Sequence, residues 1–434
     1  MYDSVGRNTQ ATEQIAGASY VTDSSWDSKN RLDVLTYPGP GNRLAVKHSY
    51  NARGYLDEIR NNGSSALYYR ATAMDARGNI TGETHGNGLT STRVYQAQTG
   101  YLQSVQTGNT PLNNRQNLTF TFDKLGNLTA RTDTIKGFAE TFSYDSLNRL
   151  TGTSADFGNG QLQTTSLTYD ALGNILTKTG VGTYQYGSQC GAGNRLHAVC
   201  QITAGSVGTK TASYSYDANG SMTSGDGRTI TWSAFDKPLS ISKSGASATM
   251  TYGPERQLLT RSDVNSGNTT STVYVGGLYE KVTLPGGNTE ERHTVGGNTI
   301  VTYTNRTSGS AGTIKTRYLH KDHLGSITVI TDESGAEVEA FSFDPWGKRR
   351  AMSLTQLQSI LGSWSTLTNY QKGNLTIPAL TLSSVTTHKG FTGHQQLDGV
   401  GLIHMGGRVY DAEIGRFLSA DPFVDDSSNL QALN

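Results

Sequence analysis

Three stretches written almost alike, LTFTFDKLGNL (118–128), TFSYDSLNRL (141–150) and SLTYDALGNIL (166–176), decide the fold. In each, apolar or aromatic and hydroxyl side chains alternate up to an aromatic residue, an Asp follows, and Gly or Asn stands three positions after that Asp. Alternation with period two puts Phe120 with Phe122, Phe142 with Tyr144 and Leu167 with Tyr169 on one face of a strand, with Thr and Ser on the other. Gly and Asn accept the positive φ of a tight turn. The unit reads as strand, turn, strand.

Outward from these copies the pattern recurs at Tyr2-Asp3, Trp26-Asp27, Tyr216-Asp217 and Phe235-Asp236, with weaker copies at Tyr50-Asn51, Met74-Asp75, Gln96-Ala97, Cys190-Gly191 and Tyr252-Gly253. Successive anchors lie 17 to 26 residues apart, the signature of a repeat architecture. Gly or Asn follows at the third position in ten of twelve copies, and an apolar residue at the fifth in eleven. The repeated Asp needs no chemical role: at the head of a turn its carboxylate accepts backbone amides two or three residues on. A lone hairpin of this size is marginal, so each copy must pair with its neighbours. The fold class is all-β, a long coiled antiparallel sheet of tandem hairpins. Its aromatic face must be covered or curled on itself, because such a stripe left exposed would aggregate. The Thr and Ser face suits either an inner or an outer wall.

Thirty-six Lys+Arg balance 35 Asp+Glu for a net charge of +1, which gives no steering toward nucleic acid. No run reaches the ~18 apolar residues of a membrane span, and MYDSVGRNTQ has no signal-peptide pattern. Cys190 and Cys200 permit one local bridge, with two buried free thiols as the alternative.

The tandem units resemble the YD repeats of the Rhs (rearrangement hotspot) family, related to the C component of insecticidal toxin complexes and more distantly to teneurins. In the last third, RYLHKDHLGSITVITDESG (317–335), AFSFDPWGKRR (340–350), GFTGHQQLDGVGLIHMGGRVYD (390–411) and GRFLSADPF (415–423) look like the family's Rhs-associated core domain. The resemblance implies a sheet wound into part of a hollow shell, with a C-terminal core that plugs one end. It also implies a C-terminal toxin segment, cleaved off and held inside. Partners expected are that segment and a secretion-system or toxin-complex component. Location is expected to be extracellular or reached through a secretion system.

The resemblance places self-cleavage residues at Arg408 and Asp421. A carboxylate serves as general base on water or polarises the scissile peptide, and a guanidinium keeps it ionised or steadies the developing oxyanion. A structural ion pair is the alternative, and Asp411 could assist. The chain stops at Asn434, short of where the family is cut, and begins inside a repeat, so it is expected to be a fragment.

Other groupings carry less. His320 and His323 with Asp322 lack a further ligand at zinc-like spacing, so no metal and no cofactor are expected. The family's Glu after His394 is replaced here by Gln395. Lys348-Arg349-Arg350 reads as a solvated patch, and LTQLQSIL (354–361) has amphipathic-helix spacing. The organisation expected is a repeat array over 1–265, the first part of the core over 266–350, an insertion over 351–389 and a truncated plug over 390–434. The competing function is an extracellular or cell-surface adhesion scaffold, with carbohydrate as a candidate ligand. Coding sequence downstream of Asn434 separates the two: a toxin favours the shell, a stop codon or membrane anchor the scaffold.

Overall fold

The computed structural model describes residues 1–109, 114–156, 162–190, 196–351 and 385–421. Thirty-one strands, from Gln10–Ile15 to Arg349–Ala351, form one sheet. Pairings are antiparallel and join strands consecutive in sequence, so the sheet is one meander. It winds without closing: among the described residues Gln10–Ile15 pairs only with Ala18–Trp26. The possible helix over 354–361 lies outside the described residues.

The anchor chemistry is uniform. Asp145 Oδ1 accepts the amides of Leu147 and Arg149, each at 2.9 Å, and Asp27, Asp123, Asp170 and Asp217 bond in the same way. The amides lie two and four residues on, a wider clasp than the sequence suggested. Asp27, held chiefly by the Arg31 amide, has its pKa lowered to about 2. Equivalent turns stand at Asp322, Asp332 and Asp344. At the third position Gly126 adopts φ +91°, and a Cβ there would meet the Tyr101 hydroxyl at 2.5 Å.

The sequence pattern misplaced two anchors among the described residues: the copy read as Gln96-Ala97 is headed by Gln96, after the aromatic Tyr95, with Gly100 four residues on. The turn assigned to Phe235-Asp236 is built on Ser233, whose Oγ accepts the Lys237 amide at 3.1 Å. Trp232 is its aromatic, and Asp236 fills the positive-φ position at 58°. Ser in place of the usual Asp hid the register.

Each anchor also bends the sheet. Register slips by one residue at the anchor aromatic, between Thr121 and Phe122, Ser143 and Tyr144, Thr168 and Tyr169, and Ser215 and Tyr216. A bulge of this kind increases local twist, and its repetition coils the meander. The aromatics then stitch repeat to repeat. Tyr144 Oη donates to the Leu128 carbonyl at 2.8 Å, Tyr169 Oη to Leu150 at 2.7 Å, Tyr216 Oη to Val199 at 2.8 Å, and Trp232 Nε1 to Met222 at 2.7 Å.

The coil returns on its own beginning. Tyr37 Oη donates to the Thr294 carbonyl, Asn87 to the Asp332 carbonyl and Arg115 to the Gly335 carbonyl, across separations of 257, 245 and 220 residues. Val46 and Ile59 pack with Val295 and Val301, and Tyr20 packs with Tyr279. The aromatic face is the covered one. Hydroxyl pairs Thr168 with Thr177, Thr231 with Ser240, and Thr251 with Thr260 line the exposed face.

A second, four-stranded meander, Gln395–Leu397, Leu402–His404, Val409–Asp411 and Arg416–Phe417, lies in the segment expected to be the plug and is called the plug below. Its Leu397, Val400, Leu402, Val409, Ile414 and Leu418 join one core with wall residues including Leu167, Tyr184, Ile202, Tyr214, Met222, Ile230 and Met250. The wall's aromatic face thus packs against this second meander.

Candidate self-cleavage site

Val409–Asp411 and Arg416–Phe417 pair as a short hairpin, Tyr410 opposite Phe417 and Asp411 opposite Arg416. Arg408 precedes the first arm, and Asp421 follows the second. The hairpin brings them together: Arg408 Nη2 lies 2.7 Å from Asp421 Oδ2, with the guanidinium 3.6 Å above the Phe417 ring centroid. Both side chains keep partial access to solvent, at 17% and 29%, so water can reach the carboxylate. Burial pulls the Arg408 pKa below its ordinary value while Asp421 pulls the other way. The arrangement sets a carboxylate in contact with a cation that the Phe417 ring holds in place.

Asp411 is committed elsewhere. Its Oδ2 accepts Arg228 Nη1 at 2.9 Å, and its Oδ1 accepts the Glu413 amide at 2.9 Å. It clasps its own turn and ties the plug to the wall, leaving Arg408 to Asp421.

The wall supplies groups that sequence reasoning did not single out. Lys178 Nζ donates to the Glu413 carbonyl at 2.7 Å and lies 3.8 Å from the Trp346 ring centroid. Tyr184 Oη donates to the Ile414 carbonyl at 3.0 Å, and Lys237 Nζ to the carbonyls of Gly406 and Gly407 at 2.7 and 2.8 Å. Lys210 bridges Asp226 and Glu413. The Met222 amide donates to the Leu418 carbonyl at 2.8 Å. Nothing in the sequence marked these residues, because each occupies an ordinary position in a repeat.

The remaining groupings resolve into packing. His320 meets Thr331 Oγ1 and lies edge-on to His85 at 4.9 Å, whereas His323 lies against Phe120 at 4.3 Å. Asp322 serves its own turn. No group of three metal-ligating side chains occurs among the described residues. Gln395 Nε2 reaches Glu280 at 3.3 Å, and His394 Nδ1 meets Thr392 Oγ1 at 2.8 Å. The patch at 348–350 is not simply solvated: the Arg349 side chain is 8% exposed, lies over Phe341 and reaches Asp398 at 3.3 Å. Its aliphatic stem and fork found an aromatic and a carboxylate distant in sequence. Cys190 and Cys200 are joined by a disulfide.

A family model described as RHS Repeat matches residues 122–161, the stretch that contains the turns at Asp123 and Asp145. The chain thus carries an RHS repeat. Over 266 residues it is 26% identical to the tRNA3(Ser)-specific nuclease WapA of Bacillus spizizenii, covering 59% of this chain and 9% of that protein. The match to the tRNA nuclease WapA of Bacillus subtilis is also 26% identical, over 265 residues, with the same coverage. The chain therefore spans about a tenth of the length of these curated relatives. Among solved structures, TcdB2-TccC3 superposes at a TM-score of 0.73 with 16% identity, over 99% of this chain and 23% of that one. A Photorhabdus luminescens Tc holotoxin pore gives 0.71 and 17%, over 96% and 20%. The coiled sheet and plug of the chain thus have the fold seen in those complexes. Among the described residues no helix is long and apolar enough to cross a membrane.

Proposed function

We propose that this chain is the wall and plug of a secreted toxin shell, and that Arg408 and Asp421 release the segment that follows the plug by self-cleavage. The single observation that carries the reading is the contact of Arg408 with Asp421 on a plug hairpin packed into the covered face of the sheet. The carboxylate is exposed enough to meet water or a peptide, and the guanidinium is fixed by Phe417. The passenger would be a C-terminal toxin, and the delivery partner a toxin-complex or secretion-system component. A disulfide suits an oxidising compartment outside the cytoplasm. On this reading, residues 1–265 are the repeat wall, 266–350 the first part of the core, 351–389 an insertion and 390–434 the plug.

The test is the full-length gene product. It should cut itself downstream of Asp421, and Asp421→Asn should leave it whole with an unchanged far-ultraviolet β spectrum. An unmodified product that stays uncut counts against the assignment, and a cut that survives the substitution moves the chemistry to another group. An uncut product that binds a cell-surface carbohydrate would favour the adhesion scaffold.

A further inference from the structure

We propose that Lys178 and Arg228, both on wall strands, are positioning residues for Arg408 and Asp421: they lock the turn at 411–415, whose arms carry one and lead to the other. This inference rests on the self-cleavage reading above.

The hairpin has little to hold it by itself. Its arms are Val409–Asp411 and Arg416–Phe417, too short for independent stability. Apolar burial fastens the plug to the wall. That force is non-directional and leaves the hairpin free to slide. Directional contacts set its register, and they converge on one turn. Arg228 Nη1 takes the Asp411 carboxylate at 2.9 Å, while its Nε donates to the Val400 carbonyl at 2.8 Å, joining two plug turns. Lys178 Nζ caps the carbonyls of Glu413 and Ala412 at 2.7 and 3.5 Å. Tyr184 caps the next, Ile414, at 3.0 Å.

Lys178 and Arg228 are each 4% exposed, and a buried cation is costly unless its contacts repay it. Methionine would fill the space of Lys178 without that penalty. What the lysine adds is a fixed point for carbonyls at the head of the site. Phe417, one residue beyond Arg416, carries the Arg408 guanidinium at 3.6 Å. A slipped turn therefore displaces the ring, the guanidinium and the carboxylate together, and a displacement near 1 Å in an active site lowers rate by about a hundredfold.

The anchors lie far away in sequence, 235 residues between Lys178 and Glu413 and 183 between Arg228 and Asp411. Cleavage geometry then exists only after the wall strands Ile175–Lys178 and Arg228–Trp232 are in place against the plug. The container would be assembled before its passenger is cut free.

The experiment follows self-cleavage of the full-length gene product on denaturing gels from pH 6 to pH 10. Unmodified protein is compared with Lys178→Met, Lys178→Arg, Tyr184→Phe and Asp421→Asn, with far-ultraviolet spectra for each. Lys178→Met should slow cleavage by about tenfold to a hundredfold, and Tyr184→Phe by about fivefold. Asp344, Asp411, Glu413, Lys348 and the Trp346 ring surround the Lys178 amine, and burial lowers its pKa to about 8. Cleavage should therefore decline above pH ~8 in the unmodified protein and hold to higher pH in Lys178→Arg. A purely packing role would leave that limb unmoved. Folded Lys178→Met cutting at the unmodified rate overturns the inference. If Lys178→Met does not fold, an alkaline limb identical in Lys178→Arg together with full-rate cleavage by Tyr184→Phe overturns it. Cleavage by Asp421→Asn instead defeats the underlying reading. An inactive Asp421→Asn beside a fully active Lys178→Met defeats only the positioning role.

Discussion

Acidification from pH 7 to pH 5 should loosen the plug through His404. This residue is 4% exposed, and its ring is stacked near Tyr252, whose hydroxyl lies 3.0 Å from Nε2. Its Nδ1 accepts the Gly406 amide at 3.3 Å, a bond that needs the neutral ring. Burial first, then the charges of Arg261 and Lys237, lower its pKa from 6.5 to about 4. The folded state therefore binds this proton more weakly than the unfolded state, so its stability is full above pH ~6.5 and falls as pH drops toward ~4. At about 1.4 kcal/mol per pH unit in that window, the loss is about 2 kcal/mol at pH 5. His293 and His323, also lowered to about 4, add acid sensitivity elsewhere, so the contribution of His404 is isolated by comparison with His404→Gln, which does not titrate. The assay is hydrogen exchange of the Leu418 and Met222 amides, which report the plug hairpin and its bond to the wall. After correction for intrinsic rates, opening of the unmodified protein should become easier by about 2 kcal/mol between pH 7 and pH 5, and that of His404→Gln by much less. Equal changes in the two proteins would refute the reasoning.

Loss of one stitching hydroxyl in Tyr144→Phe or Tyr169→Phe should lower stability by about 1 kcal/mol in urea unfolding, whereas Tyr55→Phe, on a side chain 48% exposed, should stay within ~0.5 kcal/mol. Gly126→Ala forces a Cβ into left-handed backbone and toward Tyr101, so thermal unfolding should show a loss of about 1–2 kcal/mol or more. Reducing the Cys190–Cys200 bridge, whose sequence separation is 10, should cost about 3 kcal/mol by loop-closure entropy, read as a lower unfolding midpoint in dithiothreitol; an unchanged midpoint would show that the bridge does not stabilise the fold.

The repeat was legible because its information is local. Asp145, Asn148 and Leu150 lie within six residues of one another and together specify the turn, its positive φ and the strand that follows. The misread copy at Ser233 shows the limit: a hydroxyl replaced the carboxylate, and a nearby Phe235-Asp236 pair imitated the anchor. Arg408 and Asp421 were nominated through resemblance, and the short hairpin explains how a separation of thirteen residues becomes an ion pair. Lys178 and Arg228 were silent because a lysine or arginine on a repeat strand carries no sign of what it will face.

The amino-acid sequence by itself determined the hairpin unit, its turn chemistry and the consecutive pairing of strands, since these depend on neighbours a few residues apart and on a period that can be counted. Tertiary structure alone decided that the aromatic face turns inward, that the chain meets its own beginning across as many as 257 residues, and that wall cations grip the plug turn. Those outcomes depend on twist accumulated over many bulges. A small rotation per repeat has no local signature, yet its sum chooses which distant side chains meet.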